Sequence, residues 1–352
     1  MNKNIPESWR PYYETVCPMK PDSTTICRWF HLEVDSRCNL RCGLCFAGNT
    51  ANYENTQGRM SVELVEKIYD KIHTENPQAT IRCYGNSEPF LYPWLPEIIA
   101  GANRRGLKFE LSSNLNYVQR LEETMAANPQ FLLFGFSGWT QETYSISHCG
   151  GDIEKVKANM IKVAELRSKY PIRVIANYHM YVENRGEEME AARVFCTNLG
   201  FEWQPSPARA ISIENTLAYL RSQEKLDSGS VPTMEKCAKG FDWNEILSTP
   251  TQQYLEQIPR LIFSPKWARA FYNKWPIPEE CPIKDIGCYI RWDGKVTLCP
   301  IESDRRLDIG NYLEMTQKQM SDARKGHPLC KECLRYRFNL YTNLVSFDKW
   351  NI

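Results

Sequence analysis

Between residues 29 and 204 short apolar or alternating runs are separated by longer stretches whose apolar residues recur three and four apart. The runs 30–35, 80–84, 107–112, 131–137, 172–180 and 200–204 read as strands. The stretches 61–69, 94–105, 116–127, 151–169 and 186–198 read as amphipathic helices. In the first of them Ser61 stands where a cap belongs, and Leu64, Val65 and Ile68 form one stripe. On the fifth strand, alternation places Arg173, Ile175, Asn177 and His179 on one face, the last two toward its C-terminal end. Six β/α repeats with short connections imply an α/β fold with a parallel sheet and right-handed crossovers. Six units are too few for an eight-stranded barrel. The expectation is a partial, open (β/α)6 barrel with ligands at the strand C-termini.

The flanks break this pattern. Residues 1–28 are polar with spaced prolines and read as an extension. Residues 205–280 carry eight prolines and many aromatics. They read as a bridge that either covers the barrel mouth or builds a satellite core of its own. The division expected is therefore 1–28, a barrel over 29–208, a bridge over 209–275 and a C-terminal unit over 276–352.

Composition narrows the function. With 42% hydrophobic and 24% charged residues the chain has material for a sizeable core. A net charge of +1 offers no electrostatic case for nucleic acid. No signal peptide and no run of 18 apolar residues is present, so a cytoplasmic protein without a membrane span is expected. Fourteen cysteines in such a chain point to metal binding rather than disulfides.

Three of them, Cys38, Cys42 and Cys45, follow the first strand at spacing C-x3-C-x2-C. Three thiolates hold three irons of a 4Fe–4S cubane and leave the fourth iron open. A zinc site, which takes four N or S ligands, or plain buried thiols are the alternatives. In this context the spacing resembles the signature of the radical S-adenosylmethionine (radical SAM) enzymes. The resemblance implies that the open iron takes the amine and carboxylate of S-adenosylmethionine. One-electron cleavage then gives a 5′-deoxyadenosyl radical that abstracts hydrogen from an unactivated C–H bond. Gly85-Asn86-Ser87-Glu88-Pro89, after the second strand, resembles the family's Gly-Gly-Glu-Pro motif for the S-adenosylmethionine amine, with Asn86 and Ser87 before the acid. Gly85, Ser87 and Glu88, then Asn114, Ser137, Asn177 and His179 on successive strand ends, are the implied cofactor-binding residues. Where the family often has an aromatic before the third cysteine, this chain has Leu44, with Phe46 after it.

A second group lies near the C-terminus. Cys281, Gly294 and Cys299 follow C-x12-G-x4-C around a turn at Trp292-Asp293-Gly294-Lys295, and Cys330-Lys331-Glu332-Cys333 comes later. The pattern resembles the SPASM/twitch extension. Its twitch form implies one auxiliary 4Fe–4S cluster on Cys281, Cys299, Cys330 and Cys333, with Cys288 as an alternative to Cys281. A four-cysteine zinc site is the competing reading. The cofactors expected are two 4Fe–4S clusters and S-adenosylmethionine. Cys17, Cys27, Cys83 and Cys196 read as ordinary thiols. Cys149 and Cys237 are candidate hydrogen-atom donors. The resemblance implies oxidation or epimerisation of a small hydroxylated, sugar- or cyclitol-like substrate, or crosslinking or epimerisation of a ribosomally made peptide. It also implies a reducing partner such as a flavodoxin or ferredoxin. A non-catalytic iron–sulfur or zinc protein is the alternative of another class.

Overall fold

The computed structural model describes residues 27–46, 57–230, 249–273, 283–301 and 304–343, with the single positions 233, 234, 242, 244, 247, 277, 280 and 281. Cys17 and Cys237 lie outside the described residues. Six parallel strands, β1 (Trp29–Leu32), β2 (Thr80–Cys83), β3 (Lys108–Ser113), β4 (Phe131–Phe136), β5 (Arg173–Met180) and β6 (Glu202–Pro207), stand in simple sequential order. Between them run helices α1 (Val62–Glu75), α2 (Leu95–Arg104), α3 (Leu121–Ala126), α4 (Gln141–Ser147), α5 (Ile153–Arg167) and α6 (Glu187–Asn198). This is the parallel α/β architecture that the strand–helix alternation implies.

Alternation decides which face is packed. Phe30, Leu32, Ile81, Cys83, Phe109, Leu111, Leu132, Phe134, Phe136, Val174, Ala176 and Tyr178 all turn to one face and join one continuous core. A slip of one residue would expose every one of them, at roughly 1.5–3 kcal/mol for each large side chain, so the register is tightly held. The helices supply the other half of that core. Ser61 caps α1 through Leu64 N–H, and Val65, Ile68, Tyr69 and Ile72 are buried. At its far end Asn76 donates to the carbonyl of Cys27, just before β1.

Two sequence expectations differ in extent. The helix expected over 116–127 is only α3, because Leu115 (φ 54°) and Arg120 (φ 49°) take left-handed backbone that interrupts the turn before it. The C-terminal hairpin does not stand apart. Strand β7 (Gly287–Ile290) pairs parallel with β1, and β8 (Lys295–Thr297) and β9 (Asp308–Asn311) continue antiparallel, giving one nine-stranded sheet.

A second core joins distant parts of the chain. Leu44 of the first cysteine loop packs in it with residues of α7 (Ile213–Ser228), α8 (Gln252–Gln257) and α9 (Pro265–Tyr272). After α10 (Ile283–Ile286) and α11 (Gln317–Arg324), α12 (Pro328–Arg335) and α13 (Phe338–Asn343) complete it through Leu329, Phe338 and Tyr341. The bridge thus builds a satellite core and also lies on the cysteine loop. Gln253 Nε2 donates to the Arg41 carbonyl at 3.0 Å, and Gln257 Nε2 to that of Ile146 at 3.2 Å. Among the described residues no helix is long and apolar enough to cross a membrane.

Candidate active site

The unpacked face of the sheet carries polar side chains in rows set by strand register. Tyr289, His31, Arg82, Glu110, Phe131 and Arg173 align across six strands. Here Arg82 Nε and Tyr84 Oη both donate to Glu110, at 2.9 and 3.0 Å. Nearer the strand C-termini, Gly135, Asn177 and Gln204 form one row, and His179 pairs with Ser206. Gly135 is needed there: a Cβ would stand 2.9 Å from His179 Cε1. Asn177 Nδ2 meets His179 Nε2 at 3.0 Å and Ser206 Oγ donates to Asn177 Oδ1 at 2.9 Å. Burial, then the Arg209 guanidinium, push the imidazole of His179 down to about 4, so it is neutral at pH 7.

The loop after β1 brings Cys38, Cys42 and Cys45 to these strand ends. All three are half-buried thiols outside any disulfide. Burial raises the Cys42 thiol well above its ordinary value, and its neighbours Cys45, Cys38 and then Cys149 raise it further. Cys38 is pushed up to about 12, by burial first and by Glu88 next. Thiols that oppose each other's ionisation in this way fit a bound metal centre, whose positive charge inverts the effect. Among the described residues no three His, Cys, Asp or Glu side chains are grouped to hold a single metal ion. A cubane asks for wider spacing, since each thiolate sits on a different iron. The polar strand ends reach the same thiols. Cys45 Sγ donates to Asn86 Oδ1 at 3.7 Å, and Asn114 Nδ2 stands 3.9 Å from Cys38 Sγ.

Other expected residues are placed in less direct roles. Gly85 is exposed at φ 140°, a conformation that favours glycine, with Ser87 half-buried beside it. Glu88 is buried and already holds the neighbouring strand end. Its carboxylate accepts from Phe90 N–H (3.1 Å), Ser113 Oγ (2.9 Å) and Asn114 N–H (2.8 Å). Burial nevertheless pushes it up to about 7. Ser137 is also buried, with Oγ 3.2 Å from His148 Nδ1. Cys149 is exposed, and its carbonyl accepts from Arg41 N–H, which ties it to the cysteine loop.

The second thiol set converges as well. Burial raises the Cys333 thiol well above its ordinary value, followed by Cys281, Cys299 and Cys330. Cys330 is pushed up to about 12 by burial and by Cys281. Cys299, Cys330 and Cys333 pack against the second core. Cys288 is elsewhere. On β7 it turns to the packed face of the sheet, its Sγ 4.0 Å from Met320 Sδ, while the next residue, Tyr289, turns to the polar face. Strand alternation therefore removes it as the substitute for Cys281.

Several site residues escaped the sequence reading. Asn86 lay inside the quoted motif and could have been taken with its neighbours. Tyr289 had no local signal: it comes from the C-terminal strand, stacks on His31 with centroids 5.8 Å apart, and would lie 3.5 Å from a Cβ at Gly85. Its hydroxyl donates to the buried Glu33 at 3.3 Å.

No family model matches the chain. Two curated relatives do. One is a 7,8-dihydro-6-hydroxymethylpterin dimethyltransferase of Methanocaldococcus jannaschii, 26% identical over 159 residues, which are 43% of this chain and 30% of that one. The other is a tungsten-containing aldehyde ferredoxin oxidoreductase cofactor-modifying protein of Pyrococcus furiosus, 25% identical over 181 residues, 50% of this chain and 49% of that one. The chain thus spans half or less of the length of these relatives. Among solved structures, anSMEcpe with bound AdoMet superimposes with a TM-score of 0.51 at 15% identity, covering 86% of this chain and 82% of that one. Streptococcus suis SuiB bound to its precursor peptide SuiA gives 0.50 at 13% identity, covering 87% and 66%. The likeness to these structures is one of fold, and the C-x3-C-x2-C motif after β1 is similar to that of radical SAM proteins. Cys38, Cys42 and Cys45, with the strand ends carrying Asn86 and Asn114 against their sulfurs, form the candidate site.

Proposed function

We propose that the chain is a radical SAM enzyme acting on a small hydroxylated substrate, with a second 4Fe–4S cluster on Cys281, Cys299, Cys330 and Cys333 for electron transfer. When bound, the cluster on Cys38, Cys42 and Cys45 supplies one-electron cleavage of S-adenosylmethionine and hence a radical able to abstract hydrogen from carbon. The observation that carries this reading is the meeting of three thiols with the polar wall of the sheet at one set of strand ends. The chain's own part is to bind and orient. Glu88 fixes the backbone of Asn114 beside Cys38. Asn114, Asn177, Gln204, Ser206 and the neutral His179 offer hydrogen bonds without fixed charge, which suits hydroxyl groups. The bridge closes over the cysteine loop through Gln253 on the Arg41 carbonyl. A four-thiol set leaves no ligand position for substrate, which favours an electron-carrying role. A reaction that oxidises an alcohol needs such an acceptor.

Peptide modification is the second reading, favoured by the likeness to SuiB with its precursor peptide. The test is anaerobic reconstitution followed by iron counting and a 5′-deoxyadenosine assay under reducing conditions. About eight irons per chain are expected, at four per cubane. Iron without any 5′-deoxyadenosine would leave a non-catalytic iron–sulfur protein, and zinc in place of iron would end the reading. Polyol and aminocyclitol panels against candidate peptides then choose between the two substrate classes, through substrate-dependent stimulation of 5′-deoxyadenosine.

A further inference from the structure

Buried arginines in this chain differ in what balances their charge. Arg221 meets Glu332 at 3.1 Å and Arg291 meets Asp293 at 3.0 Å. Arg324, the last residue of α11, is buried to the same degree, and among the described residues no carboxylate pairs with it. Its Nη1 donates to the carbonyls of Lys284 and Gly287, the latter at 3.2 Å, and Nη2 to that of Thr297 at 3.3 Å. Its Nε has no hydrogen-bond partner. Asp285, between the first two of these carbonyls in sequence, is taken by Lys284 Nζ at 2.7 Å. Carbonyl dipoles ease the burial of a guanidinium but leave its net charge uncancelled.

The same contacts put Arg324 where the three stretches bearing the second thiol set meet. Lys284 N–H donates to the Cys281 carbonyl at 3.2 Å, and Thr297 Oγ1 to the Cys299 carbonyl at 2.7 Å. The Arg324 carbonyl accepts at 3.3 Å from the N–H of His327, which caps α12 with its Cys330 and Cys333. Burial raises the thiols of Cys281 and Cys330, and the guanidinium opposes that rise in both. Two thiols outside the set feel it as well. Burial pushes Cys288 up to about 11 and raises Cys27 too, so both are neutral at pH 7 and supply no countercharge.

We infer that Arg324 is the countercharge of a metal centre on Cys281, Cys299, Cys330 and Cys333, and that it raises the reduction potential of a 4Fe–4S cluster held there. The inference rests on the auxiliary cluster proposed above and names the residue that tunes it. Reduction adds one electron, so the centre becomes more negative by one unit. A fixed positive charge in the same low-dielectric shell favours that state. On the proposed reaction the substrate radical loses this electron, and a raised potential suits the centre that gains it. Lys284 adds no net charge there, because Glu280 and Asp285 hold it at 3.1 and 2.7 Å.

The test uses the full chain, reconstituted anaerobically, with iron counting and a potentiometric titration followed by electron paramagnetic resonance. Cys42→Ala marks which signal belongs to the second set. Arg324→Gln should keep its irons and make one-electron reduction of the second set roughly tenfold less favourable, a fall of about 59 mV. Arg324→Lys, which keeps the charge but not the fork of donors, should titrate close to wild type. An unchanged potential in the glutamine variant overturns the proposal. So does an equal fall in the lysine variant, which would make the carbonyl contacts responsible. Should the glutamine variant lose the irons of the second set, the lysine variant decides: irons and potential both kept uphold the proposal, and loss of either overturns it. Zinc in the second set of wild type would end the auxiliary-cluster reading instead. The countercharge is then read from zinc affinity, expected to weaken roughly tenfold in Arg324→Gln and to hold in Arg324→Lys. Equal affinity in all three overturns it, and a second set that takes neither metal overturns both readings.

Discussion

The two thiol sets differ in surroundings as much as in number. The first has three thiols on one short loop, with amide groups of two strand ends at 3.7 and 3.9 Å from its sulfurs and an open cleft that Cys38 helps to line. The second draws four thiols from three separate stretches and packs three of them against an apolar core with Leu298, Leu307 and Leu329. Its near charges are of both signs, with Lys284 paired to Glu280 and Asp285 and Glu332 paired to Arg221 and Arg335. Lys284 and Arg324 both favour ionisation of Cys330, and Arg324 is held by the carbonyls of Lys284, Gly287 and Thr297. On the function proposed above, a set lacking one sulfur beside hydrogen-bonding groups would take a ligand, and a complete set in an apolar shell would keep ligands out and carry electrons.

The sharpest way to break that contrast is to remove one thiol from each set. Cys42→Ala should take about four irons per chain and drop 5′-deoxyadenosine formation to background. If cleavage survives, the first set is not the catalytic one. Cys333→Ala should also lose about four irons. Here 5′-deoxyadenosine should still form while substrate turnover stops, because only electron transfer from substrate is lost. Loss of both activities in the second variant would make the two sets equivalent and would erase the distinction.

Most of this contrast was legible in the sequence because it is carried by local spacing. C-x3-C-x2-C needs only a loop after a strand, and the alternation in β5 already put Asn177 and His179 on one face. What escaped depends on contacts between remote segments. Nothing near Tyr289 announces that β7 would pair with β1 and bring a phenol beneath Gly85. Glu88 reads in the motif as a group free to take an amine, yet its two oxygens accept three hydrogen bonds from within the fold. Cys288 has suitable spacing, and only the direction of a strand side chain excludes it.

A smaller effect tests how the hairpin is joined to the barrel. Burial raises Glu33 from its ordinary 4.5 to about 8, opposed by Arg291, the Tyr289 hydroxyl and the Trp292 N–H, with Asp293 adding slightly. The folded state therefore holds this proton more tightly than the unfolded chain. Its contribution is fully present below about pH 4.5 and is lost as pH rises through about 8. Unfolding free energy should decline by up to about 5 kcal/mol across that window. Glu33→Gln should flatten the decline in urea titrations at several pH values. A profile unchanged by the substitution would show that β1 and β7 are not joined through a protonated carboxyl.

The least effect concerns how the bridge holds the first loop in place. At Gly43, between Cys42 and Leu44, a Cβ would stand 2.8 Å from Gln257 Cγ. That approach lets Gln257 Nε2 reach the Ile146 carbonyl while Leu44 sits in the satellite core. Gly43→Ala must push α8 away or twist the cysteine loop, at about 1–3 kcal/mol for an overpacked contact. Truncating the neighbour in Gln257→Ala removes the clash at the cost of a hydrogen bond worth roughly 1 kcal/mol. The double variant should therefore be more stable than the sum of the singles, by about 1 kcal/mol in a double-mutant cycle. The second thiol set should keep its irons throughout, since nothing in this contact touches it. Additive singles would mean that α8 merely lies beside the loop. A favourable coupling would make the bridge part of what positions Cys42 and Cys45, a support that the second set obtains from its own helices instead.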